Sequence, residues 1–168
     1  MKIRTPAQIE AAGAGRKRAL FVAVIALIIG AIMLLFTNSF VQLHCVMLIA
    51  VALAGGIAAG RAAYPIDPAS ARPAGVNGGL YAALAFVLPF IVYNLFLLVN
   101  INDQTVAARV AQLTPAEIAN IQQFNVAVDA EYFRRQDTAI LFGYFLFALL
   151  FGSILGLIGG AIARRQMS

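Results

Sequence analysis

The chain has 168 residues, 62% hydrophobic and 11% charged, with a formal net charge of +5. A soluble domain is nearer half apolar and a quarter charged, so this composition excludes an ordinary soluble fold and points to an integral membrane protein. A lone cysteine, Cys45, excludes an intrachain disulfide, and a lone histidine, His44, leaves too few ligands for a zinc-type site.

Residues 1–18 read as a basic segment with Lys2, Arg4, Arg16, Lys17 and Arg18. Within it Thr5-Pro6-Ala7-Gln8 has the form of a capping box, which predicts a short helix leading into the first span. Residues 19–36 form that span, reaching Phe40 at its longest. The run exceeds the h-region of a signal peptide, and no small-x-small cleavage site follows it, so it reads as retained. His44 occupies the small-residue position that a lipoprotein box would need in Val41–Cys45. Thr37-Asn38-Ser39 is a connection short enough for a tight antiparallel hairpin into the second span, residues 41–60. Gln42, His44 and Cys45 cluster at the start of that span. His44 could ligate a haem iron or a chlorophyll magnesium, while the plainer reading is an interfacial histidine bonded to the hairpin turn or to water.

Residues 61–77 hold Pro65, Pro68 and Pro73 and are expected to be an extended loop. The third span covers residues 78–99. Pro89 lies in its middle and predicts a kink, and Asn94 is a deeply placed amide able to hydrogen-bond a facing helix. Residues 100–137 are the one sizeable segment outside the spans. Val106, Val110 and Leu113 share a face of a first short helix there. Thr114-Pro115-Ala116-Glu117 caps a second, whose apolar face would be Ile118, Ile121, Phe124, Val128 and Tyr132. That pair is expected to pack over the span ends or lie at headgroup level, with a partner protein as the other occupant of its face. The fourth span covers residues 139–163, and residues 164–168 are a basic tail.

The four spans hold no Asp, Glu, Lys or Arg, each of which would cost roughly 2.5–3.5 kcal/mol at a helix centre. On one side lie Lys2, Arg4, Arg16, Lys17, Arg18, Arg61, Arg72, Arg164 and Arg165, against Glu10 and Asp67. On the other lie Arg109, Arg134 and Arg135, against Asp103, Glu117, Asp129, Glu131 and Asp137. The positive-inside rule then sets both termini in the cytoplasm, in a membrane of the bacterial inner-membrane type. The fold class expected is all-α: a four-helix transmembrane bundle, N-in and C-in, with an amphipathic helical segment between the third and fourth spans on the outer side.

Small residues suggest where the helices meet. The fourth span has Gly152, Gly156 and Gly160 at four-residue spacing, a glycine zipper. Gly56 and Gly60, with Ala50, Ala54 and Ala58 one register over, mark the second span, and Gly75 and Gly79 the start of the third. All lie toward the basic side. Phe86, Phe90, Tyr93, Phe96, Phe142, Tyr144, Phe145, Phe147 and Phe151 lie toward the other, where they are expected to fill a wider gap between helices. Gly55–Arg61 and Gly159–Arg165 both fit Gly-Gly-x-x-Ala-x-Arg, consistent either with tandem hairpins from a duplication or with convergence of inner helix ends.

No family-specific motif, Gly-rich phosphate loop or intramembrane protease constellation is present. The reading with most support is a non-catalytic accessory or structural subunit of a larger membrane assembly, in energy conversion for example, with lipids and other membrane subunits as partners and no nucleic acid. A small transporter or channel, with Asn94 on its path, is one alternative. A subunit binding a pigment, carotenoid, quinone or lipid, through His44 and the aromatic residues, is the other. No cofactor is required by the residues themselves.

Overall fold

The computed structural model describes residues 4–35 and 41–168, with side chains for all of these but residues 41 and 42. Lys2, the expected hairpin at Thr37-Asn38-Ser39 and the side chain of Gln42 lie outside the described residues. All regular elements among the described residues are helical: α1 (Pro6–Leu34), α2 (Val41–Ala63), α3 (Ala71–Val99), α4 (Asp103–Val110), α5 (Pro115–Gln122) and α6 (Ala130–Met167), with a 3-10 turn at Pro68–Ser70. Helices α1, α2, α3 and α6 are long and apolar enough to cross a membrane. At about 1.5 Å per residue, α6 runs about 57 Å, well beyond a hydrocarbon core of about 30 Å.

Several boundaries differ from the sequence expectation. Helix α1 is continuous from its capping box, in which Thr5 Oγ accepts the Gln8 N–H and Gln8 Oε1 accepts the Thr5 N–H, so no separate short helix precedes the span. The expected loop at 61–77 shrinks to residues 64–70, because α2 runs on to Ala63 and α3 starts at Ala71. The prolines punctuate this stretch rather than forbidding helix. Pro65 follows the end of α2, Pro68 opens the 3-10 turn capped by Asp67, and Pro73 falls in the first turn of α3. A first-turn N–H has no intrahelical acceptor, so nothing is lost there.

The single amphipathic helix expected after Thr114 is also corrected. Helix α5 ends at Gln122, and Asn125 takes a left-handed conformation with φ 54°. Asn tolerates that region better than most side chains. Asp129 then caps a new helix, its carboxylate accepting the Tyr132 N–H at 2.9 Å. Ile118 and Ile121 therefore lie on α5, Phe124 and Val128 between helices, and Tyr132 on α6.

The chain forms two compact units. One comprises the described residues up to Phe90 together with Phe145–Ser168, and the other is Ile91–Tyr144. In the first unit α2, α3 and α6 converge on glycine. A Cβ on Gly75 would stand 2.6 Å from the Gly156 carbonyl oxygen, and one on Gly56 would stand 2.7 Å from the same atom. Gly79 of α3 meets the backbone of Gly152 and Gly156, Gly78 meets that of Gly55, and Gly60 of α2 faces Gly160 and Ala163. Carbon-centre contacts are normally near 3.5–4.0 Å, so only hydrogen at these positions lets the backbones come this close. The two Gly-Gly-x-x-Ala-x-Arg segments face one another: a Cβ on Gly159 would lie 2.7 Å from the Ile57 nitrogen.

Helix α1 joins through a buried stripe of small residues, Ala11, Gly15, Ala19, Ala23, Ala26 and Gly30, that ends on the larger Met33. Gly15 lies against Ala74 and Ala59, and Gly30 against the backbone of Phe86. The buried face of α2 runs through Val51, Ala52, Gly55, Gly56, Ala59, Gly60 and Ala63, whereas Ala50 and Ala54 point outward. Farther along α3, Phe86, Val87 and Phe90 take over from glycine as the buried residues, each at most 2% exposed. Of the other aromatics expected to fill a gap, Tyr144 is half-buried and the rest are exposed. Phe96 is 63% exposed, and Tyr93, Phe142, Phe145, Phe147 and Phe151 are exposed as well. On α6 this follows from helical phase: Ala148, Gly152 and Gly156 hold the buried face, so Phe147 and Phe151 fall on another, stacked on each other at 5.7 Å.

The glycine contacts predict a sharp contrast between sites. Gly75→Val or Gly156→Val should destabilise the first unit by about 1–3 kcal/mol or more through overpacking. Gly13→Ala and Gly143→Ala, where an added Cβ meets nothing within 4 Å, should be neutral or stabilising by up to about 1 kcal/mol. Thermal unfolding of the four variants in detergent measures the difference.

Candidate functional site

Among the described residues three polar or charged side chains are buried: His44, Asn94 and Asp137. His44 belongs to the first unit. The imidazole is 8% exposed and stands edge-on to the Phe90 ring, with centroids 5.0 Å apart and planes at 77°. Phe90 in turn lies 5.9 Å from Phe86, so His44 extends the aromatic part of the core. Its neighbour Cys45 is exposed with a free thiol. No group of three or more His, Cys, Asp or Glu side chains is placed to hold a metal ion among the described residues. Pro89 lies within α3, which continues as helix on both sides of it. The seven glycines singled out by spacing, Gly56, Gly60, Gly75, Gly79, Gly152, Gly156 and Gly160, are brought together in the first unit.

The second unit holds Asn94, buried on α3, and a feature that spacing did not reveal. Asp137 is only 1% exposed, and Arg109 of α4 grips it with both terminal nitrogens: Nη1 donates to Oδ2 at 2.7 Å and Nη2 to Oδ1 at 2.8 Å. The guanidinium also lies over the Phe133 ring, 4.2 Å from its centroid. Phe133 and Asp137 are four residues apart on α6, one turn along a single face, so one arginine meets both. The planar fork satisfies both carboxylate oxygens while its flat side covers the ring, an arrangement lysine could not reproduce. Chemically it is a clasp that ties α4 to the start of α6.

Local signals set up the clasp. Asn102 caps α4 through a reciprocal bond with Thr105: Asn102 Oδ1 accepts the Thr105 N–H at 3.0 Å and Thr105 Oγ1 accepts the Asn102 N–H at 2.8 Å. This fixes where α4 begins, and hence the phase of Arg109 two turns later. Helix α5 is capped by Thr114 and Glu117 as its sequence predicts. The Thr114 N–H and hydroxyl both donate to the Glu117 carboxylate and hold its pKa below the ordinary 4.5. The clasp itself joins residues 28 positions apart, beyond the reach of any periodicity. One signal could have found it: an acidic residue directly before an uncharged apolar span needs a cation beside it.

Comparison with protein-family models, with curated proteins and with solved structures finds no match.

Breaking the clasp should be costly. Arg109→Ala leaves a buried carboxylate without its cation and should destabilise the second unit by about 3–5 kcal/mol. Arg135→Ala removes an exposed pair with Glu131 and should cost at most about 1 kcal/mol. Hydrogen exchange at the α4 amides reads both, and the paired change Arg109→Met with Asp137→Leu should recover much of the loss.

Proposed function

We propose that the protein is a non-catalytic accessory subunit of a larger membrane assembly, with its basic end in the cytoplasm and Ile91–Tyr144 offering a docking surface on the opposite side. The observation that carries this reading is Phe124. It lies in the turn between α5 and α6, 80% exposed, at the rim of an apolar groove formed with Ile121, Val126 and Tyr132. Exposed apolar residues on a membrane-spanning helix face lipid and need no further explanation. A bare phenylalanine on the short connection between α5 and α6 calls for a cover.

The charges nearby favour protein over bilayer as that cover. Between residues 100 and 137 there are three basic residues against five acidic ones, and Glu117, Asp129 and Glu131 are all exposed. Anionic headgroups would repel such a surface, whereas a subunit with basic residues around an apolar anchor would complement it. The first unit supports the same reading in another way. Its α2, α3 and α6 glycine contacts are made within one chain, so those glycines are not offered to a neighbouring subunit.

Burial of one phenylalanine contributes about 1.5–3 kcal/mol. Phe124→Ser should therefore weaken capture of the partner at least about tenfold while leaving thermal unfolding unchanged. Mild detergent extraction followed by native-gel mass spectrometry tests it. The wild type should migrate with a second membrane protein and the variant alone. A wild type that always migrates alone would sink the proposal.

A further inference from the structure

We infer that a cavity of about 250 Å³ in the first unit, between the start of α1 and the start of α3, holds the glycerol-phosphate headgroup of an anionic lipid. Gln8 and Arg16 line it from one face of α1, and Arg4 from just before the Thr5 cap. Asp67 and Ser70 of the 3-10 turn and Asn77 of α3 line it from the other side. The contact of Gly15 with Ala74 fixes the two walls relative to each other, so the space is a product of helix packing rather than of loose surface side chains.

Its chemistry is divided. Arginine suits phosphate, through charge and paired N–H donors. Asp67, Ser70, Gln8 and Asn77 suit hydroxyls. The Asp67 carboxylate already accepts the Ala69 N–H at 3.3 Å and the Ser70 hydroxyl at 2.5 Å, so it is held in place as a wall that can accept further hydroxyl donors. No ion pair joins it to Arg4 or Arg16 among the described residues, which leaves both guanidinium groups available for an anion. By liquid volume the space equals roughly eight waters, enough for a phosphodiester with a glycerol cap.

Depth favours a lipid as the source. Arg16 is three residues before the apolar run that opens at Ala19, so its end of the cavity lies at the edge of the hydrocarbon, where lipid phosphates sit. The surrounding end of the bundle also carries Lys17, Arg18, Arg61, Arg72, Arg164 and Arg165, which concentrate anionic lipid there. Arg61 and the tail are themselves joined, Nη2 of Arg61 donating to Gln166 Oε1 at 2.5 Å.

The test is native mass spectrometry of the full chain in detergent, titrated separately with phosphatidylglycerol, phosphatidylethanolamine and soluble glycerol phosphate. Phosphatidylglycerol should be retained in preference to the other two. Its retention should fall about fivefold in Arg16→Gln and further when Arg4→Gln is added, while Arg165→Gln, outside the cavity, lowers it by less than either. Equal retention of phosphatidylethanolamine, or an equal loss in Arg165→Gln, would overturn the site in favour of diffuse charge. Displacement of the lipid by soluble glycerol phosphate at the same concentration would overturn the lipid as its source. The arginines are exposed, so a matched unfolding temperature should show that the variants remain folded.

Discussion

The carbonyl oxygen of Gly156 occupies the space that a side chain on Gly75 or Gly56 would need. The packing of the first unit depends on that approach. Lipid tails are as apolar as leucine, so burying leucine between helices gains little in a bilayer. What remains is van der Waals contact between surfaces close enough to touch over a long stretch, and glycine gives the closest contact of all. Three helices meeting at glycine leave no volume between them for lipid. They also set the phase of each helix, because rotating any one of them by a single residue would drive a Leu, Ile or Phe into a neighbouring backbone. The exposure of Phe147 and Phe151 on α6 is the other side of the same constraint.

Much of this was legible in the sequence because it depends on local repetition. Four-residue spacing marked Gly152, Gly156 and Gly160, and hydropathy marked the four long helices. The capping boxes at Thr5 and Thr114 gave two helix starts correctly. The misreadings have separate physical causes. Prolines at 65, 68 and 73 read as helix breakers by composition alone, although position within a turn decides what a proline costs. The stripe on α1 does not stand out in the sequence because four of its seven members are alanine, which is common on every face of an apolar helix. The break after Gln122 depends on the backbone of Asn125, and an apolar pattern that continues across it hides the change.

The two units use different chemistry. The first is held by dispersion between small residues, with His44 and two phenylalanines as its bulkier part. The second is smaller and has little glycine, and its α4 is only eight residues long, too short to be stable by itself. A forked ion pair over an aromatic ring compensates. Arg109 reaches both Phe133 and Asp137, so one side chain orders α4 against the first turns of α6. Asp137 is the pairing that sequence periodicity could least supply, since its partner lies on another helix across two turns and α5.

A direct measurement of the glycine seam is cysteine cross-linking in a Cys45→Ser background, with Gly60→Cys on α2 and Ala163→Cys on α6. A Cβ on Gly60 would stand 3.0 Å from that of Ala163, inside the roughly 3.8 Å of a disulfide, so the two helices need move apart by only about 0.8 Å for the bridge to close. Oxidation in dilute detergent should give a bridge within one chain, seen as a faster-migrating monomer whose yield does not depend on protein concentration. Covalent dimers in its place would contradict a seam closed within the single chain.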